Sequence, residues 1–256
     1  MKRRLAALAV LCLSGCATLP PPVAGPPSFP PLPQGPVTDG DVTFGQVGQV
    51  QVLVRRWPGA ELVTTTLAMR GGVLNADART AGAELLGLRT AASGGPDSLS
   101  KDAFSRTLSK VGGTLEAGAA PNYSTLQAKS LRADWQQSLD LLFSVFLHPA
   151  LSTTELELQR ARLLQELKRE QESPDDALQF LSEQLLFRGT PYALRPQGTD
   201  GSVRGVSRED IQQHLAALRA QNRLLLVVVG DVEPEAVFAL ARQAVLGLPE
   251  GGPLPV

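Results

Sequence analysis

Cysteine and histidine are scarce, with two of each in 256 residues. Both cysteines, Cys12 and Cys16, fall near the N-terminus, so the rest of the chain can build neither a disulfide framework nor a thiolate metal site. His148 and His214 each stand alone, without a second imidazole at ligand spacing. Aromatic residues make up 5% of the chain, which leaves little material for a cofactor pocket. Charge of one sign is not in excess, the formal net charge being −1. That balance gives no footprint for nucleic acid. Neither a G-x-x-x-x-G-K-[ST] phosphate loop nor a G-x-S-x-G nucleophile elbow occurs.

Long apolar runs are missing as well. The run Leu5 to Leu13 is shorter than the roughly 20 residues of a spanning helix. Behind Lys2, Arg3 and Arg4 it reads as the apolar part of a secretory signal over residues 1–15. "LSGC" at 13–16 resembles a bacterial lipobox, which implies cleavage before Cys16 and lipid, including palmitate, on that residue. Ala17 is not the aspartate that favours inner-membrane retention in such proteins. The resemblance therefore points to the cell envelope, at the outer membrane facing the periplasm. Residues 16–40 hold the lipidated cysteine and "LPPPVAGPPSFPPLPQGPV", a proline-rich stretch unable to form ladders. It reads as an extended spacer, with a proline-recognition ligand as the alternative. Without the three leader cations the formal charge becomes −4.

Residues 41–249 amount to one domain, followed by a short tail at 250–256. "DVTFGQVGQVQVLVRRW" (41–57) alternates like an edge hairpin, and "ELVTTTLAMR" (61–70) continues as a strand. Helices are expected over 80–95 and 100–110, the second with Ser100 as N-cap. "GGTLEAGAA" (112–120) and "YSTLQAKSLR" (123–132) read as a second hairpin. Helices follow at 133–147, 152–171 and 174–187, the last with Pro174 in its first turn. A helix at 207–219 precedes "RLLLVVVG" (223–230), whose unbroken apolar run predicts a fully buried strand. A helix at 233–246 closes the domain. The fold class is α+β, a mixed and mostly antiparallel sheet with helices on one face.

Several stretches together resemble the insulinase (pitrilysin-like) metallopeptidase family, which includes the mitochondrial processing peptidases. "VGGTLEAGAAPNYSTLQAKSL" (111–131) is similar to that family's glycine-glycine strand pair. "LDLLFSVFLHPALSTTELELQRARLLQELKREQESPDDA" (139–177) is similar to its helix, turn and long glutamate helix. "GTPYALRPQGT" (189–199) and "NRLLLVVVGDVEPEAV" (222–237) resemble two later landmarks. The resemblance implies one half of an insulinase-like fold, since members usually consist of two homologous halves closing around a peptide.

Active members carry H-x-x-E-H on the first helix after the β-rich start. Its histidines bind zinc, its glutamate is the general base, and a third ligand comes from the long helix. Aligned on Gly94, the histidine positions hold Leu85 and Arg89, the base position holds Leu88, and the third ligand position holds Glu166. A one-residue slip offers Glu84, Gly87 and Leu88 instead. Neither register supplies an imidazole, so no zinc cofactor and no zinc proteolysis are expected here. Glu166 then has two open readings, a solvated helix face shared with Arg162 and Arg169, or a pair with Arg89. His148 reads as a capping or surface residue and His214 as helix surface.

The expected role is a membrane-anchored, non-catalytic member of the family, serving as partner subunit of an active zinc peptidase homologue. The alternative is a stand-alone lipoprotein that binds extended peptides or scaffolds an envelope complex. Its tool would be the edge strand Thr114, Leu115, Glu116 and Ala117, which the resemblance assigns to β-augmentation. An active zinc endopeptidase is the third reading, against which the site residues argue. A partner subunit further predicts an uncovered apolar face.

Overall fold

Two hairpins with the same turn chemistry open the sheet. Gly40-Asp41 joins β1 (Val37–Asp39) to β2 (Val42–Val47), and Gly48-Gln49 joins β2 to β3 (Val50–Arg56). In both, the first loop residue is a glycine at φ 61°, the positive φ that a two-residue hairpin of type II′ requires. The computed structural model describes residues 32–252. The signal segment, Cys16, most of the proline-rich stretch and residues 253–256 lie outside the described residues.

The remaining strands are β4 (Leu62–Arg70), β5 (Thr114–Ala119), β6 (Tyr123–Leu131) and β7 (Leu224–Gly230). The helices are α1 (Ala83–Gly94), α2 (Lys101–Lys110), α3 (Trp135–Leu147), α4 (Thr153–Glu172) and α5 (Pro174–Leu186), then α6 (Asp200–Gly205), α7 (Arg208–Leu218) and α8 (Pro234–Val245). Among the described residues the sheet has seven strands in the order β1-β2-β3-β7-β4-β6-β5, of which β3 and β7 are the one pair of strands running parallel. Sequence order and sheet order part company at β7, which comes late in the chain yet separates β3 from β4. The expected edge hairpin is therefore half interior. β3 is paired on both sides, and the three-residue β1 is the outermost strand there.

Strand alternation decides where the core lies. Val50, Val52 and Val54 of β3, Leu67 and Met69 of β4, Leu126 and Ala128 of β6, and Leu226 and Val228 of β7 share one face and are buried. Leu139 and Leu142 of α3 and Phe238 of α8 join them in the core, and Leu163 of α4 and Leu215 of α7 extend it on the far side of α1. β7 departs from the sequence expectation. Its Leu224, Leu226 and Val228 are buried, but Leu225, Val227 and Val229 on the opposite face are only half-buried. An unbroken apolar run predicts burial on both faces, and the described residues supply helices to only one.

Helix starts follow local chemistry. Ser100, Ser152 and Ser207 accept backbone N–H bonds at the starts of α2, α4 and α7, and Ser173 does the same for α5 with Pro174 at its first position. Helix α1 starts at Ala83, later than the pattern predicts. Asp77 accepts from the Arg79 and Thr80 amides at 2.9 and 2.8 Å, which holds residues 77–80 as a turn instead. The strand β1 and the helix α6 are additional to the sequence reading.

The ordered body also begins before Asp41. Gly35 N–H donates to Gln46 O at 3.0 Å, and Gln46 N–H donates to Pro33 O at 2.8 Å. The end of the 16–40 segment is thus fastened to the sheet. Gly45 makes this possible, because a Cβ there would lie 1.8 Å from Gly35 O. At the other end, Asn222 N–H donates to Glu250 O at 3.0 Å, so the start of the 250–256 tail is pinned too.

Candidate functional site

Helix α1 occupies the centre of the helical layer and is buried almost all round, leaving only Arg89 and Ser93 half-open. A helix enclosed on every side needs small residues where neighbours press closest. Gly87 is one, since a Cβ there would meet Ile211 of α7 at 2.7 Å. Leu85 and Leu88 are 2% and 1% exposed and belong to the main core. Neither is displayed towards a cleft.

Arg89 lies one turn beyond Leu85, on the side facing α4. Its Nη1 donates to Glu166 Oε2 at 2.6 Å, joining the two helices through a charge-assisted bond. Of the two sequence readings for Glu166, the geometry has the pair with Arg89. The residues at Leu85, Leu88, Arg89 and Glu166 do not fit zinc. Two are buried hydrocarbon, the third is a fixed cation, and the single carboxylate is already taken by it. Among the described residues, no group of three His, Cys, Asp or Glu side chains is placed to hold a metal ion.

Glu84, offered by the slipped register, points elsewhere. It accepts the Gly72 N–H at 2.7 Å and a short hydrogen bond from the Ser124 hydroxyl. Burial pushes its carboxyl above the usual glutamate range, with the Ser124 and Gly72 bonds and the Arg223 charge pulling the other way. Gly71 allows the approach, because a Cβ there would lie 2.5 Å from Glu84 Oε1. Glu84 therefore anchors α1 to β6 and to the turn after β4. A second buried carboxylate, Glu155, ties the end of α1 to α2 and α4. Its Oε1 lies 2.7 Å from Ser93 Oγ and 3.0 Å from Gln159 Nε2, and Lys101 closes the ring. Burial raises this carboxyl, but the bonds from Lys101, Ser93 and Gln159 outweigh it and hold the group below its ordinary value. Sequence reasoning offered Glu84 only as a zinc-site position and did not single out Glu155, and it missed the anchoring role of both. Neither Glu84 in "AGAELL" nor Glu155 in "TTELEL" differs from a solvated helix residue until the facing strand or helix is known.

His148 caps the C-terminus of α3 and is exposed. His214 corrects its expectation. It is half-buried against the loop after β4 rather than on a helix surface, and its Nε2 is buried without a partner among the described residues. Burial lowers its pKa below the ordinary histidine value, against the opposing pull of the Asp210 and Asp77 charges.

The strand proposed for peptide capture, Thr114 to Ala117, lies in β5 at the far edge of the sheet. β5 pairs with β6 on one side, Leu115 opposite Ala128 and Ala117 opposite Leu126, and no described residue pairs with the other. Just past its end, a groove of about 600 Å³ opens between the Pro121-Asn122 turn and α5, lined in part by Phe187, Tyr192 and Leu194.

Residues 51–199 match the insulinase family (peptidase family M16). The chain belongs to that family. It is 25% identical over 147 residues to human mitochondrial cytochrome b-c1 complex subunit 1, covering 57% of this chain and 31% of that one. It is 26% identical over 140 residues to an uncharacterised zinc protease of Mycobacterium leprae, covering 55% and 32%. Its fold matches the crystal structure of a peptidase M16 inactive domain from Pseudomonas fluorescens with a TM-score of 0.74 at 19% identity, over 84% of this chain and 52% of that one. The matched stretch thus spans about a third of these curated relatives and about half of the solved one.

Proposed function

We propose that this chain is a non-catalytic insulinase-family half-domain that serves as partner subunit to an active zinc peptidase homologue. It binds no zinc of its own. Lipid on Cys16 holds it in the bacterial envelope, at the outer membrane facing the periplasm. The observation that carries the reading is the Arg89–Glu166 pair at 2.6 Å, with Leu85 and Leu88 in the core beside it. Without metal there is no water of lowered pKa, and Leu88 cannot act as a base.

The partner role has its own support. The sheet face away from the helices is apolar along β7, at Leu225, Val227 and Val229, and beside it at Leu53, Phe44 and Val42, all half-buried, with Gln46, Gln51 and Arg55 at the margins of that patch. Towards β5 the same face turns polar, with Thr64, Thr66, Thr125 and Gln127. An apolar patch on a sheet face left without helices favours a second domain laid over it. The human relative is by name a subunit of a larger complex, in line with such a role.

A second reading, capture of an extended peptide on β5, is favoured by that strand's unpaired edge and the groove beyond its end. Purification from native membranes in mild detergent after light crosslinking, with mass spectrometry of what comes with the chain, separates the two. A homologue with an intact H-x-x-E-H in stoichiometric amount supports the partner role. Its absence sinks that role and leaves a peptide-binding or scaffolding lipoprotein.

A further inference from the structure

Strand β5 is an edge without the usual defences. Between Thr114 and Ala119 it holds no proline, no lysine and no bulge, and its register with β6 is unbroken. The hairpin turn shows which of its backbone groups are free. Ala120 N–H donates to Tyr123 O at 2.7 Å, so these two residues form a hydrogen-bonded pair at the hairpin end. Such pairs recur at every second residue of an antiparallel ladder. Gly118, Glu116 and Thr114 therefore spend their backbone groups on Thr125, Gln127 and Lys129 of β6. Leu115, Ala117 and Ala119 aim their N–H and C=O groups away from β6. Gly113, next in that row, adds no donor, because its N–H already bonds Leu108 O at 2.8 Å. At the other end the row stops at Pro121, which has no N–H.

The order of side chains says what fits this row. "TLEAGAA" (114–120) runs from large to small, with Ala117 in the middle. An antiparallel copy of the strand centred on Ala117 sets Leu115 opposite Ala119, Glu116 opposite Gly118 and Thr114 opposite Ala120. Every larger side chain then meets an alanine or a glycine, on both faces of the sheet. The same register sets outward residue on outward residue. Leu115 exchanges both backbone bonds with Ala119 of the copy, and Ala117 exchanges them with Ala117. Neighbouring registers do worse. Centred on Glu116, two carboxylates stand opposite each other, and Ala119 meets Gly113, whose N–H is spent. Centred on Gly118, Leu115 meets Pro121 and loses a donor. Backbone and side chains thus select one register, and it is the self-complementary kind that a two-fold contact of a single patch requires.

We infer that β5 pairs with β5 of a second copy of this chain, antiparallel about a two-fold axis at Ala117, so that two sheets become one. This edge is separate from the open sheet face, and the inference does not depend on the partner reading. A copy seated on β5 excludes a peptide there, whereas failure of the inference leaves the edge free and the peptide reading intact. The test is sedimentation equilibrium of the full chain in nonionic detergent. The chain should dimerise, and Ala117→Pro should weaken the dimer at least ten-fold. Far-UV circular dichroism should stay unchanged, since the lost N–H bonds nothing in its own sheet. Glu116→Cys combined with Gly118→Cys gives a second readout. Facing residues of a pair without mutual hydrogen bonds lie about 4.5 Å apart at Cα, within disulfide reach. Mild oxidation should therefore yield a covalent dimer that neither the unsubstituted chain nor Glu116→Cys alone forms. Should the proline variant lose its spectrum, the cysteine pair decides. A monomer at all concentrations, a dimer indifferent to a folded Ala117→Pro variant, or a cysteine pair that gives no covalent dimer would each overturn the inference.

Discussion

Arg89 Nη1 lies 2.6 Å from Glu166 Oε2, closing α1 onto α4 with a cation carried by the protein. The pair is only half-sheltered, the two side chains being 28% and 45% exposed. It joins the helices without being a major source of stability.

The first prediction concerns metal. The chain as it stands should retain no stoichiometric zinc after dialysis. Leu85→His, Leu88→Glu and Arg89→His together should create a site that uses Glu166 as third ligand. Calorimetric titration with zinc reads the gain. A triple variant that keeps its circular dichroism spectrum yet takes up no zinc would show that these positions do not correspond to the family's ligands.

The second concerns the relative weight of core and ion pair. Leu88→Ala should cost about 2–5 kcal/mol, as for other fully buried leucines. Arg89→Ala should cost under about 1 kcal/mol, because solvent screens the pair. Urea unfolding of both variants settles the order, and a larger loss at Arg89 would contradict the burial pattern.

Glu84 gives the third. A folded-state pKa raised by burial means that the folded protein takes up this proton more readily than the unfolded chain. Its contribution to stability is complete below the ordinary glutamate pKa of about 4.5 and is lost as pH rises through the elevated value. Glu84→Gln removes that loss. Thermal melts from pH 4 to 8 should therefore show the variant gaining on the wild type as pH rises, and parallel curves would exclude the linkage.

Asp210 runs the opposite way. Backbone and side-chain bonds from Ser207, then Arg79, hold its carboxyl down at about 2. Its contribution is present above the ordinary 3.8 and is lost as pH falls through about 2. Asp210→Asn should lower Tm at pH 7 and match the wild type near pH 2. A deficit that persists in acid would point to packing rather than charge.

Much of this molecule was legible before any coordinates. Ser100 and Pro174 mark helix starts, "YSTLQAKSLR" reads as the strand that forms β6, and four spaced landmarks point to the family that the match over residues 51–199 shows. What stayed hidden depends on neighbours distant in sequence. Whether Leu225, Val227 and Val229 are covered depends on which sheet face receives helices, and the apolar run in β7 does not encode that. The contact between Arg89 and Glu166 needs two helices to cross, so helical spacing alone left Arg162 and Arg169 as equal candidates. His214 was misjudged because a histidine amid "DIQQHLAAL" carries no mark of the loop folded against it. The leucines of α5 had the right period for a core stripe, and only the fold reveals that they face outward.

The two margins of the sheet are unequal. On one side β1 offers three residues, and the strap at Pro33 to Gly35 has already taken the backbone groups of Gln46 beside it. On the other, six residues of β5 stand without a neighbour among the described residues. A sheet with one receptive margin can accept a single visiting strand and offers that strand's successors nothing at the far side. Two such sheets that pair through β5 use up both receptive margins, so edge-to-edge growth between copies ends at the pair.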